Sequence, residues 1–114
     1  MRKLKLHIND KDYVLELDRD SVKWLESVGF DLQEFYKKPL TYRENLWQCL
    51  FVKNHREVNP NLAVKLMDSY AEEKGQNMVN KVVRFAIEEY EAFFNALTDT
   101  NSEKKEEELE ITEQ

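Results

Sequence analysis

The stretch Leu4-Lys5-Leu6-His7-Ile8-Asn9-Asp10-Lys11-Asp12-Tyr13-Val14-Leu15-Glu16-Leu17 decides the fold class. Leu4, Leu6 and Ile8 alternate with Lys5 and His7, and Tyr13, Leu15 and Leu17 alternate with Val14 and Glu16. A period of two places apolar side chains on one face of a strand. Asn9-Asp10-Lys11-Asp12 between the runs has turn chemistry. The segment therefore predicts a β-hairpin with strands over 4–8 and 13–17 and one wet face. A lone hairpin is marginal in water. The helices that follow must cover Leu4, Leu6, Leu15 and Leu17.

Those helices follow in sequence. Asp18 and Asp20 offer caps for a helix over 21–28, with Val22, Leu25 and Val28 inward, Trp24 on a flank and Gly29 as the stop. Asp31, with Glu34 in the capping-box place and Phe30 ready to staple onto Phe35, predicts a short helix that Pro39 ends. Thr41 and Glu44 form a second capping box for a helix from Tyr42 to about Asn54, with Leu46, Trp47, Leu50 and Phe51 on its apolar side. After a polar link over 55–59, Asn59 caps and Pro60 starts a helix that buries Leu62, Ala63, Leu66, Met67 and Tyr70 and ends at Gly75. The last helix spans about 77–97, roughly 30 Å. The expected class is α+β: an N-terminal hairpin packed on about five α-helices, helix-dominated, with an acidic C-terminal tail.

A chain of 114 residues with 41% hydrophobic content is sized for one domain. The net charge of −6 is uneven, because the segment from Asp99 to Gln114 holds seven acids against Lys104 and Lys105. The rest is close to neutral, with no general pull toward nucleic acid or anionic membrane. The expected division is a folded domain over 1–98 and a flexible acidic tail over 99–114. Leu109 and Ile111 are the tail's bulky apolar residues, too few to offset ordering entropy. No apolar run approaches the roughly 20 residues of a membrane span. The charged start Met1-Arg2-Lys3 is unlike a signal peptide. A cytoplasmic location is expected.

The chemistry-bearing residues are sparse. Cys49, the single cysteine, lies in the apolar run 46–52 and reads as a small core residue. His7, His55 and Cys49 lack zinc-ligand spacing, and His7 reads as an exposed strand residue. Ser21, Ser27 and Ser69 sit in helical patterns without a nucleophile turn. Gly29 and Gly75 are too far apart for a phosphate loop. The pairs Glu72-Glu73 and Glu88-Glu89 read as solvated helix faces. Lys37, Lys38, Arg43, Lys53 and Arg56 interleave with Tyr36, Tyr42 and Trp47 as in single-strand binders. Glu34, Glu44 and Glu57 dilute them, so nucleic acid is disfavoured. No catalytic site, cofactor or metal is expected.

The strongest local signal is the last helix. At 100° per residue its apolar side chains, from Met78 to Leu97, cover an arc of about 200°, broken by Glu89. A surface helix needs a stripe of 100° or somewhat more. The excess fits either a central helix packed on two sides or a flank that receives a partner. Val83, Ile87, Tyr90 and Phe94, beside polar Asn80 and Glu91, are the candidate partner-binding residues.

The run Lys11-Asp12-Tyr13-Val14-Leu15-Glu16-Leu17, then Asp20-Ser21-Val22, then Glu26-Ser27-Val28-Gly29-Phe30, resembles a family of small tail assembly chaperones of long-tailed bacteriophages. The resemblance continues through Lys37-Lys38-Pro39-Leu40 and Phe51-Val52-Lys53-Asn54-His55-Arg56 and covers about residues 11–70. It implies a protein that binds the tape measure protein, and in its neighbourhood the tail tube protein, in the host cytoplasm during assembly, with homo-oligomers allowed. It implies absence from the finished virion, and in many relatives a longer frameshifted product. Here codons for Glu103-Lys104-Lys105-Glu106 could form an A-rich slippery site, and a family member without a frameshift is equally allowed. The rival expectations are a head–tail or tail component that stays in the particle and a small nucleic-acid-binding regulator.

Overall fold

The computed structural model describes the backbone of residues 2–102 and the side chains of residues 2–97. An antiparallel hairpin, β1 (Leu4–Ile8) and β2 (Lys11–Leu15), is followed by α1 (Arg19–Ser27), a 3₁₀ helix (Leu32–Lys37), α2 (Pro39–Cys49), α3 (Pro60–Lys74) and α4 (Gln76–Ser102). The fold is α+β and helix-dominated, as the patterning predicts.

The hairpin register pairs Leu4 with Leu15, Leu6 with Tyr13 and Ile8 with Lys11. The turn is therefore Asn9-Asp10 alone, shorter than the four residues expected. Both adopt positive φ, 51° and 63°. That is the geometry of a two-residue primed turn, whose twist matches the strands it joins and which Asn and Asp tolerate. Lys11 and Asp12 belong to β2, and Glu16 and Leu17 lie beyond it. Leu6, Ile8, Tyr13, Leu15 and Leu17 are buried, and His7 is exposed beside Asp12, its Nδ1 at 2.7 Å from Oδ1.

Asp18 caps α1 in a reciprocal box with Ser21, both side chains accepting from the other's backbone N–H. Gly29, at φ 79°, ends the helix. Its N–H reaches the Glu26 carbonyl, and the Phe30 N–H reaches that of Leu25, the paired bonds of a Schellman stop. This stop turns Phe30 inward. Val28, expected inside, is exposed instead, because the helix has already ended there. Phe30 is buried between the rings of Tyr42 and Tyr90, at 5.3 and 5.4 Å.

Pro39 does not only close the 3₁₀ helix. It is the first residue of α2, where its missing N–H costs nothing and its φ is preset. The capping box expected at Thr41 and Glu44 therefore falls inside the helix. α2 also stops at Cys49 and not near Asn54. Residues 50–54 form turns that carry polar groups back to the hairpin. Val14 sits at a non-hydrogen-bonded position of the ladder, so its N–H and carbonyl face away from β1. His55 Nε2 accepts from the Val14 N–H at 2.9 Å, and Asn54 Nδ2 donates to the Val14 carbonyl at 3.2 Å. The Glu16 N–H donates to the Leu50 carbonyl at 3.3 Å. Glu16 is buried, and its carboxylate accepts from Asn54 Nδ2 at 2.9 Å and Lys53 Nζ at 3.1 Å. The Asn54 hydrogen bond, then Lys53, outweighs the cost of burial and holds the Glu16 carboxyl below its usual range.

The Phe51-Val52-Lys53-Asn54-His55-Arg56 element is thus a clasp on the outer edge of β2. The His55 ring also packs edge-on against Tyr13 at 5.1 Å. His55→Phe keeps that ring contact and removes the acceptor for Val14. The expected cost is about 1–2 kcal/mol, read from a urea midpoint, together with faster hydrogen exchange at the Val14 amide. An unchanged midpoint and unchanged exchange would show that the bond does not hold the edge.

Asn59 caps α3 by accepting from the Leu62 N–H at 2.8 Å, and Pro60 takes the first position, both as expected. Leu62 lies more exposed than expected, while Ala63, Leu66, Met67 and Tyr70 are buried. Gly75, at φ 96°, is the whole link to α4, so the two helices fold back on each other. The core gathers Ile8, Leu15, Leu17, Leu25, Leu46, Trp47, Leu50, Phe51 and Val79. α4 continues to Ser102, past the expected boundary at residue 98, and the rest of the expected tail, 103–114, lies outside the described residues.

Candidate functional site

At 1.5 Å per residue α4 is about 40 Å long, and its two halves have different surroundings. Val79, Val82, Val83 and Ala86 in the first half are buried against the other helices. Arg43 of α2 braces this half from outside, donating to Gln76 Oε1 at 2.6 Å and Asn80 Oδ1 at 3.3 Å. Val83 is thus a core residue and offers no surface, a correction to its place among the candidate partner-binding residues. Its helical position faces the right way, but the body covers that part of the helix.

Beyond Ala86 the cover thins. Ile87 and Tyr90 are half-buried, Phe94 is 37% exposed and Leu97 52% exposed. An unbroken series of ring contacts runs outward from the body. Phe35 lies 6.4 Å from Tyr42, Tyr42 stacks on Phe30, Phe30 on Tyr90, Tyr90 on Phe94 at 5.0 Å, and Phe94 on Phe93 at 5.5 Å. Edge-to-face pairs of this kind contribute about 0.5–1.5 kcal/mol each beyond area burial. They fix the exposed rings in position. Three of the four candidate residues, Ile87, Tyr90 and Phe94, therefore share one partly open apolar face.

Glu89, the break in the apolar arc, is only 6% exposed. It is not part of a solvated carboxylate pair, as the sequence suggested for Glu88-Glu89. Arg2 clamps it, donating from its backbone N–H at 3.0 Å and from Nε at 2.7 Å, while Nη2 reaches Glu88 at 2.9 Å. Burial alone would raise the Glu89 carboxyl, but the Arg2 hydrogen bonds outweigh it and hold it below its usual range. The Arg2 guanidinium also lies 5.1 Å from the Phe85 ring centre. The N-terminus is thereby tied to α4, and Arg2, Glu89, Ala92, Phe93 and Ala96 line a cleft of about 330 Å³ on that side. No pattern local to either segment signals a contact across 87 positions.

Two strongly exposed apolar residues lie outside the candidate surface on α4. Tyr36 in the 3₁₀ helix and Leu40 in α2 are each 73% exposed. The signal for Leu40 was present, because Arg43 and Glu44 stand at i+3 and i+4, off any apolar stripe. A second cleft, about 340 Å³, opens between Trp24, Gln48, Val52, His55, Arg56, Val58, Asn59 and Pro60. Its histidine already accepts from the Val14 N–H.

The basic and aromatic residues at 36–56 are not all presented on the surface. Tyr42 and Trp47 are buried, Lys37 pairs with Glu34 at 2.7 Å and Lys53 with Glu16. Cys49 is fully buried, its Sγ–H aimed at the Leu46 carbonyl, and burial pushes its thiol far up from the usual range. Among the described residues no group of His, Cys, Asp and Glu is placed to hold a metal ion, and no helix is long and apolar enough to cross a membrane.

No curated protein and no solved structure matches the chain. Residues 1–112 match a family described as "Domain of unknown function (DUF5055)", which spans the hairpin, the clasp and α4 alike, and the chain belongs to that family.

Proposed function

We propose that this protein is a non-enzymatic binding module that acts as a tail assembly chaperone of a long-tailed bacteriophage. It holds apolar helical segments of the tape measure protein in the host cytoplasm. The observation that carries the reading is the outer half of α4, where Ile87, Tyr90, Phe94 and Leu97 present apolar surface on a helix anchored by stacked rings. An amphipathic helix of a partner would bury this surface, which then becomes the energetic core of the complex. The likeness of residues 11–70 to tail chaperones supports the class of partner. A structural role in the particle makes the opposite forecast about the virion.

Co-expression with the tape measure protein of the same phage should move that protein from the pellet to the supernatant. Mass spectrometry of purified virions should find the tape measure protein and not this chain. Stoichiometric presence in virions would overturn the chaperone role, and an insoluble tape measure protein despite co-expression would overturn the binding role.

A further inference from the structure

The outer edges of the hairpin are finished differently. The clasp occupies the edge of β2, where His55 accepts from the Val14 N–H and Asn54 donates to its carbonyl. β1 has no such cover. Lys5 stands opposite Val14 and His7 opposite Asp12, both non-hydrogen-bonded positions of the ladder, so the N–H and carbonyl of Lys5 and of His7 point away from β2. Among the described residues no group bonds to these backbone atoms, and both residues are exposed. An open edge of this kind accepts a further strand, and folded proteins keep it from pairing at random. The side chains narrow the choice. Lys3, just before β1, and Lys5 are exposed, and neither makes an ion pair among the described residues, whereas Glu16 of the following segment is matched by Lys53. Toward the turn the surroundings are acidic: Asp12 bonds to His7, Asp10 belongs to the turn itself, and Glu72 and Glu73 line a cleft with Asn9. Leu4, Leu6 and Ile8 occupy the opposite, core-facing side. A second copy of β1 would set lysine against lysine, which disfavours pairing of the hairpin with itself.

The chain carries a matching segment. Glu108-Leu109-Glu110-Ile111-Thr112 alternates acids with apolar residues at the period of a strand and ends on a neutral one. Set beside residues 3–7 in the same direction, it brings Glu108 to Lys3, Glu110 to Lys5 and Thr112 to His7, with Leu109 and Ile111 beside Leu4 and Leu6. The reach suffices. Arg2, at the entry to β1, is clamped to Glu89, and α4 advances about 20 Å from there to Ser102. Residues 103–108, extended, span about 20 Å back. Alone, two apolar residues do not offset the entropy of ordering such a segment; an open ladder adds backbone hydrogen bonds and opposite charges. We propose that residues 108–112 add to the outer edge of β1 as a third strand, so that the chain closes its own sheet. This holds whether or not the α4 face receives a partner.

Amide hydrogen exchange of the full chain and of a chain ending at Ser102 tests this. In the full chain the Lys5 and His7 amides should exchange about tenfold or more slowly than in the shortened one. The Val14 amide, held by His55, should exchange alike in both and shows that the hairpin is intact. A synthetic peptide of residues 105–114, added in excess to the shortened chain, should restore slow exchange at Lys5 and His7. The full-chain variant Glu108→Lys/Glu110→Lys should lose the protection, because both side chains then face lysines. Equal exchange at Lys5 and His7 in the two chains would overturn the third strand. Protection that the double variant retains would overturn the pairing with Lys3 and Lys5. Protection that grows with protein concentration would overturn closure within one chain and place the segment on a neighbouring copy.

Discussion

Trp47→Ala destabilises the protein by about 3–5 kcal/mol, the largest stability loss expected from a single truncation here. Trp47 is fully buried where α2 crosses α3, with the rings of Phe51 and Tyr70 at 5.8 and 5.9 Å. Its indole N–H donates to the Ala63 carbonyl at 2.7 Å, so truncation removes a buried hydrogen bond as well as volume. The cavity cannot close easily, because Leu46, Leu50 and Phe51 around it are themselves fixed by α2 and by the clasp on β2. Domains of this size are stable by about 5–15 kcal/mol, so the variant should unfold at a much lower urea concentration or be isolated only in part. Trp47→Phe retains most of the packing and should cost clearly less. Trp24 is the internal comparison: it is half-buried at the rim of a cleft, and Trp24→Ala should cost less than Trp47→Ala. A loss below about 1 kcal/mol for Trp47→Ala would contradict the packing of α2 on α3.

The same residues show why some of the architecture is legible in the sequence and some is not. The hairpin is legible because Leu4, Leu6 and Ile8 repeat every second residue, and tertiary structure merely covers the face so defined. Its turn is less so: Lys11 and Asp12 are polar strand residues on the exposed end of β2, and composition alone cannot separate them from Asn9 and Asp10. Pro39 is ambiguous in principle, since proline both ends the helix before it and starts the one after it. The end of α2 is hidden for a different reason. Leu46 to Val52 is apolar except for Gln48, and the chain leaves the helix at Cys49 because Asn54 and His55 have partners on β2 and Leu50 has one at Glu16 just after it, about 35–40 positions earlier. Buried polar groups must find partners, and such partners are non-local.

The candidate surface divides along the same line. Periodicity identifies which face of α4 is apolar, and Val83, Ile87, Tyr90 and Phe94 do share it. What covers each turn of that face depends on where α1, α2 and α3 end, and this places Val83 inside and Phe94 at the surface. Glu89 reads as a flaw in the stripe until Arg2 is brought to it. The DUF5055 match over residues 1–112 treats the hairpin, the clasp and α4 as one unit. That agrees with a fold in which the N-terminal residues hold the last helix and the middle of the chain holds the hairpin.

Phe94→Asp weakens partner binding by more than tenfold while costing the fold little. A fully buried Phe contributes about 1.5–3 kcal/mol, and about 1.4 kcal/mol is a factor of ten in affinity. The carboxylate adds to the loss, because it must be desolvated against an apolar helix. In the free protein Phe94 is 37% exposed, so Asp there remains hydrated. The fold gives up its stack on Tyr90, about 1 kcal/mol, which for a domain near this size lowers Tm by about 4–8 °C. Ile87→Asp should act in the same direction with a larger share on stability, since Ile87 is half-buried. Val83→Asp is the contrast, because an unpaired charge in the core should prevent folding altogether. Circular dichroism melts of the three variants, with pull-down of the tape measure protein, separate the two effects. If Phe94→Asp melts as early as Val83→Asp, Phe94 belongs to the core; if it binds as well as the parent chain, the partner docks elsewhere, and the exposed end of α4 has another use.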